Sequence, residues 1–256
     1  MSKPLFLAAA AAALSLLPPG CARTDGTAPV HFEAIADGCE LARPRLRVAS
    51  GDEPFELVVL RVDPARFRVG ALHDPGLGDA QSFRERSGAI AAVNGHFFDP
   101  NYKPLGLLVS DGKEIARLRR VDHGIFTIAG GKPGLQHAKS FAAPADLEFA
   151  IECGPRLVVD GKAVDLKQSR ARRTALAYDA EGRVLVVAST GVVTLRDLAT
   201  VLARPAAAGG LGAIGALNLD GGSSTMFDLA LRGRRISIRS AVQVPVGVFV
   251  AQRAER

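Results

Sequence analysis

Asp220 closes a short apolar run, Ala216–Leu219, and is followed at once by Gly221, Gly222, Ser223, Ser224 and Thr225. A carboxylate at a strand end, with backbone amides and hydroxyls directly behind it, suits an anionic or polyhydroxylated ligand. Two adjacent glycines let the backbone take positive φ or approach another group closely. Taken alone, the stretch reads equally well as a Gly-Gly turn capped by Ser and Thr.

Two other places carry residues of the same chemical kind. Asn94-Gly95-His96-Phe97-Phe98 follows the apolar run Ala89–Val93, and Asn-Gly is a turn signal. His96 has a side chain able to move a proton near neutral pH, and it can equally be a hydrogen-bonding loop residue. Phe97 and Phe98 suit a core or a pocket wall. Arg172-Arg173-Thr174 opens another apolar run, and the planar guanidinium of Arg173 can engage two oxygens of an anion. Glu152, Asp111 and Glu114 are carboxylates without an assigned role, any of which could serve as a second acid. A serine hydrolase using Ser223 or Ser224 is disfavoured, because no G-x-S-x-G elbow surrounds them.

Most of the positioning elements read as strands. Glu56–Val62 and Phe67–Leu72 form a hairpin pair around Asp63-Pro64, and Asp111-Gly112 and Asp160-Gly161 mark tight turns. A further strand is expected over Leu46–Ala49. Asp79–Ser87 has helical spacing. Thr194–Leu202 is the strongest helix, with Thr194 as N-cap, Asp197 three positions on, and Leu195, Leu198, Val201 and Leu202 on one face. Lys167–Arg173 reads as a basic loop and Ala206–Gly215 as a Gly/Ala-rich linker. The fold class expected is α+β: a mixed, largely antiparallel, strand-rich sheet core with few helices, in a single domain.

The 256 residues are 48% hydrophobic and 23% charged, which permits a sizeable core without disulfides or metals. Net charge is +6, but the arginines are scattered and aromatic residues are few, so nucleic acid is not an expected partner. Lys3, the apolar run Leu5–Leu17 and then Pro18-Pro19-Gly20-Cys21 have the anatomy of an export signal. Cys21 resembles the lipidation cysteine of a bacterial lipoprotein, although the two prolines depart from the usual small residues. Cleavage without a lipid, near Ala22, is the alternative. The expected organisation is a signal over 1–21, a tether and N-terminal extension over 22–45, and one domain over 46–252. The expected location is periplasmic or lipid-anchored, with the membrane met only through that anchor. In an oxidising compartment Cys39 and Cys153 are candidates for a disulfide, with two buried thiols as the alternative.

Together, Asn94-Gly95-His96-Phe97-Phe98, Leu105–Val109, Cys153-Gly154-Pro155-Arg156-Leu157-Val158, Arg172-Arg173-Thr174 and Asn218–Thr225 resemble the phosphodiester glycosidase family. The resemblance covers roughly residues 55–250. It implies a pocket lined by Asn94, Gly95, Phe97, Phe98, Arg173, Thr174, Asp220, Gly221, Gly222, Ser223 and Ser224. His96 stands where many members carry a small residue, so it either reaches the substrate or fills space. The implied reaction releases a sugar from a phosphomonoester, with a sugar-1-phosphodiester or phosphorylated glycan as partner. On this reading Asp220, Arg173 and Asn94 are catalytic, with Asp220 as nucleophile, base or electrostatic stabiliser of an oxocarbenium-like state. No cofactor is required by the sequence. Attack at phosphorus, with Asp220 holding a divalent metal, is the alternative route. A non-catalytic envelope protein that binds glycan or phosphate polymer is the alternative function.

Overall fold

The computed structural model describes residues 28–47 and 54–254. The expected signal, Cys21, most of the tether and the far half of the expected Leu46–Ala49 strand lie outside these residues.

Among the described residues the strands form sheets of nine, five, five and two strands, and every pairing between them is antiparallel. The expected mixed sheet is therefore corrected. Tight hairpins join many neighbours, and no helix-linked parallel crossover is built. Among the described residues two α-helices accompany the strands, Ala80–Arg86 and Leu195–Ala203.

The central strands of the nine-stranded sheet read as nearly unbroken apolar runs because both their faces are buried. In strand Phe55–Val62, Val58, Leu60 and Val62 point into one core while Leu57 and Val59 point into a second. The same period of two recurs in Val184–Ser189, where Val184, Val186 and Ala188 oppose Leu185 and Val187. The first core is shared with both five-stranded sheets, through Val69, Val93 and Val248 of one and Phe126, Phe149 and Ile151 of the other. The second is covered by helix Leu195–Ala203, whose Leu198, Val201 and Leu202 are wholly buried. Each such side chain contributes about 1.5–3 kcal/mol of transfer free energy.

Both helices begin as the sequence predicts. The Thr194 hydroxyl accepts the Asp197 amide at 3.0 Å, and the Asp79 carboxylate accepts the Ser82 amide at 2.8 Å. The expected linker is shorter than its composition suggests. A 3-10 turn occupies Ala206–Ala208, and the strand leading to the Asp220 loop already starts at Ala213. The basic loop contains a two-residue strand, Arg170–Ala171, paired with Val193–Thr194.

Cys39 and Cys153 are separate buried thiols, which corrects the expected disulfide. Cys39 is paired opposite Val62 in the nine-stranded sheet, whereas Cys153 is opposite Gly124 in a five-stranded one. Both pack into the first core, and burial pushes the Cys39 thiol up to about 12 and the Cys153 thiol far up.

Candidate active site

All three large sheets deliver strand ends to one place. Strand Ala91–Asn94 ends there from one five-stranded sheet and Leu147–Cys153 from the other. In the nine-stranded sheet Thr174–Asp179 begins there and Ala213–Asn218 ends there. Irregular backbone with free polar groups is thus held by three rigid elements, the usual way a scaffold fixes a site.

Asp220 occupies the centre of this junction, half-buried. Its amide donates to the Gly95 carbonyl at 3.1 Å, and its carbonyl accepts the Asn94 side-chain amide at 2.6 Å. The carboxylate accepts the Gly221 amide at 2.9 Å and a hydrogen bond from the Ser224 hydroxyl. Burial nevertheless raises its proton affinity above the ordinary carboxylate value, since desolvation outweighs those two hydrogen bonds. Gly222, at φ +64, turns the chain, and its amide donates to the Arg172 carbonyl at 2.8 Å. The Asp220 loop is therefore tied directly to the segment that carries Arg173.

Arg173 is half-buried and has no carboxylate within 4 Å among the described residues. Its Nη2 donates to the Ser169 carbonyl at 2.6 Å and to the Ser169 hydroxyl at 3.0 Å, while Nε donates weakly to the Val193 carbonyl at 3.4 Å. Its own amide donates to the Ser189 hydroxyl at 2.8 Å. Neutral acceptors thus aim the guanidinium without neutralising it, and burial lowers its proton affinity without approaching neutrality. A Cβ built on Gly221 would stand 3.9 Å from Arg173 Nη1, so the open end of the fork faces the Asp220 loop. A fixed guanidinium without a carboxylate partner is an arrangement that receives an anion.

Asn94 is wholly buried and its hydrogen-bonding capacity is filled. Besides the Asp220 carbonyl it meets the Gly95 carbonyl at 3.4 Å, and its Oδ1 accepts the Thr174 hydroxyl at 2.7 Å and the Met226 amide at 3.2 Å. Asn94, expected to be catalytic, ties the three strand ends together beneath the site, and the buried Thr174 works with it. Gly95 packs against Val246 so closely that a Cβ would stand 2.4 Å from its Cγ1. Phe97 and Phe98 form a half-buried wall, Phe97 beside His123 and Phe98 stacked on Tyr102 with ring centroids 5.8 Å apart. Ser224 is buried, whereas Ser223 is exposed and its carbonyl accepts the Ala241 amide at 2.8 Å.

His96 is 2% exposed, and neither ring nitrogen has a hydrogen-bonding partner; burial lowers its proton affinity to about 4. It is a neutral imidazole inside the wall. Asp111 lies away from the site in an ion pair with Arg68 at 2.9 Å, and Glu114 is exposed on strand Lys113–Ala116. Glu152 is different. It is wholly buried beside the junction and faces His123, a residue that no motif singled out. Among the described residues no group of three His, Cys, Asp or Glu side chains is arranged to hold a metal ion.

A cleft opens at the other end of the same strands, where Asp179 and Ile214 lie rather than Thr174 and Asn218. Its charges are largely paired, as in Arg183–Asp179 and Arg253–Glu148. It shares no residue with the Asp220 loop, and the unpaired guanidinium of Arg173 favours that loop as the site.

A family model described as phosphodiester glycosidase matches residues 87–251. The uncharacterized protein YigE of Escherichia coli (strain K12) is 26% identical over 147 residues, 51% of this chain and 54% of that protein. The chain thus spans about half the length of the curated relative it matches. A hypothetical protein from Synechocystis shares the fold with a TM-score of 0.67 at 18% identity, over 88% of this chain and 64% of that one. The zebrafish N-acetylglucosamine-1-phosphodiester alpha-N-acetylglucosaminidase catalytic domain, auto-inhibited by its pro-peptide, gives a TM-score of 0.67 at 16% identity. That similarity covers 90% of this chain and 87% of the zebrafish domain.

Proposed function

The chain belongs to the phosphodiester glycosidase family, and from that premise we propose that it is a hydrolase that cleaves a sugar-1-phosphodiester, releasing the sugar from a phosphomonoester. The observation that carries this reading is the placement of Arg173, fixed by uncharged acceptors with its open end toward Gly221, the residue that follows the half-buried Asp220. Arg173 would hold the phosphate, leaving the anomeric carbon near Asp220. As the anomeric C–O bond breaks, positive charge develops on the sugar ring, and an ionised Asp220 stabilises it and accepts the proton of the incoming water. The Phe97 and Phe98 wall limits access of bulk solvent and raises the strength of these interactions.

We further propose an exported protein, anchored through Cys21 or released near Ala22, acting on an envelope or exopolysaccharide glycan. Its support is the charge and hydropathy pattern of residues 1–21.

The test is hydrolysis of a chromogenic sugar-1-phosphodiester by the purified chain, with sugar and phosphomonoester both quantified. The reading expects equal amounts of both from the wild type and a loss of at least about 100-fold in Asp220→Asn. Binding of a sugar phosphate without turnover by the wild type would favour a glycan- or phosphate-binding protein instead.

A further inference from the structure

His123 and Glu152 make a second polar centre against the same pocket. Glu152 immediately precedes Cys153, the last residue of strand Leu147–Cys153, and is wholly buried. Its Oε2 accepts the amides of Leu107 and Arg119, each at 2.9 Å. Its Oε1 has no hydrogen bond and lies 3.5 Å from His123 Nδ1. The chain makes room for this carboxylate at Gly106, whose φ is +132 and where a Cβ would stand 3.0 Å from the Glu152 Cδ. A larger residue there would have to displace the acid.

The His123 ring links this carboxylate to the active-site wall. Its centroid is 5.8 Å from that of Phe97, and its Cδ2 would lie 3.1 Å from a Cβ on Gly154. The Gly154 carbonyl accepts the Asn218 side-chain amide at 2.9 Å, two residues before Asp220. The His123 side chain is 24% exposed, against 0% for Glu152, so the ring reaches from the buried acid toward solvent. Among the described residues, the buried side-chain atoms without partners belong to His96, His123, Glu152, Asn218 and Thr225. All five lie on the chain segments that meet at the Asp220 junction. Buried polar atoms are almost always bonded, so their concentration at one place marks a functional surface rather than scattered packing faults.

The other groups facing His123 leave Glu152 as its charge partner. His96 is a neutral imidazole, Cys153 carries a thiol, Arg119 offers its amide to Glu152, and Asp122 is engaged by His137 at 2.9 Å. The stem of Arg156 packs over Gly124. A buried carboxylate without a partner is costly, and the His123 ring, 3.5 Å from Oε1, is the group placed beside it.

Resting on the hydrolase reading above, we propose that His123, aimed by Glu152, is the second cation of the site and the proton donor to the departing phosphate. The anomeric C–O bond breaks with its electron pair moving to the phosphate oxygen, which takes the proton from His123 Nε2. Water adds to the anomeric carbon and gives its proton to Asp220; Asp220 then releases that proton to solvent, and the imidazole regains one. The phosphomonoester leaves as a monoanion, and charge is conserved.

Two readouts test this on the whole chain. In the first, kcat for a sugar-1-phosphodiester is measured across pH for the wild type, His123→Gln and Glu152→Gln. The proposal expects kcat to fall about 100-fold in His123→Gln with loss of the wild type's alkaline limb, and expects that limb to move to lower pH in Glu152→Gln. In the second, the His123 ring resonance is followed by histidine NMR as sugar 1-phosphate is added, and it is expected to shift. Wild-type rate or an unaltered pH profile in a folded His123→Gln overturns the proposal, as does a ring resonance that sugar 1-phosphate leaves unmoved. If Glu152→Gln does not fold, His123→Gln and the NMR titration decide alone. A shifted resonance with no turnover of any phosphodiester supports the phosphate contact but overturns the proton transfer, and it counts against the hydrolase reading itself.

Discussion

The side-chain amide of Asn94 donates to the main-chain carbonyl of Asp220 at 2.6 Å across a sequence separation of 126 residues. Through its Oδ1, the same side chain holds the Thr174 hydroxyl and the Met226 amide. One buried residue therefore registers the strand ends that carry the site. Truncation in Asn94→Ala would leave at least three buried polar groups without partners, at about 1–3 kcal/mol each before relaxation. The expected loss is roughly 3 kcal/mol. It would be read as a lower urea midpoint with an unchanged denaturant slope, and activity would fall through misplacement of Asp220. A native midpoint in this variant would remove Asn94 from the role assigned here.

Asp220 carries the opposite signature. Burial raises its proton affinity in the folded state, so its contribution to stability is complete below the ordinary carboxylate value and is lost as pH rises through the raised one. Above that range the ionised, desolvated carboxylate costs stability. Asp220→Asn should therefore be at least as stable as the wild type at neutral pH, with the difference closing on acidification. Thermal melts at a series of pH values check this. The acid limb of kcat/KM should lie above the ordinary aspartate range, because the ionised form does the chemistry.

Arg173 has its orientation fixed by Ser169 and Val193, and Lys cannot reproduce that fork. Arg173→Lys and Arg173→Ala should both lower kcat/KM about 100-fold, with weaker competitive inhibition by a sugar 1-phosphate. The folded state should be little affected, since the lost charge has no carboxylate partner. Steady-state kinetics beside a melt separate the two effects.

Cys39 and Cys153 sit in one core but on different sheets, with their thiols pushed toward the protonated form. The melting temperature should not depend on added reductant. Alkylation of these two positions, followed by peptide mapping, should be negligible in the native protein and complete after unfolding without reductant.

Local chemistry was legible in the sequence where the signal is local. The Thr194 cap, the short helix near Asp79–Ser87, the Asp111-Gly112 and Asp160-Gly161 turns and the Asp220-Gly221-Gly222 loop all depend on neighbouring residues, and the structure has them where expected. Approach of the Arg173 segment to the Asp220 loop came from resemblance, since nothing local ties Arg172 to Gly222. What the sequence could not carry was pairing across sheets. Asn94 reads as a turn residue because its three partners are remote, and Cys39 and Cys153 read as a pair because sequence does not say which sheet each joins. His123 lacked any motif; its only early signal was the unassigned Glu152, with which it shares no periodicity.

Hydrolysis of a sugar-1-phosphodiester in oxygen-18 water, with mass analysis of both products, tests most directly the claim that Asp220 serves the anomeric carbon while Arg173 serves the phosphate. The account predicts one heavy oxygen in the released sugar and none in the phosphomonoester, with no labelled product above background from Asp220→Asn. Heavy oxygen in the phosphomonoester would place the attack at phosphorus and contradict it.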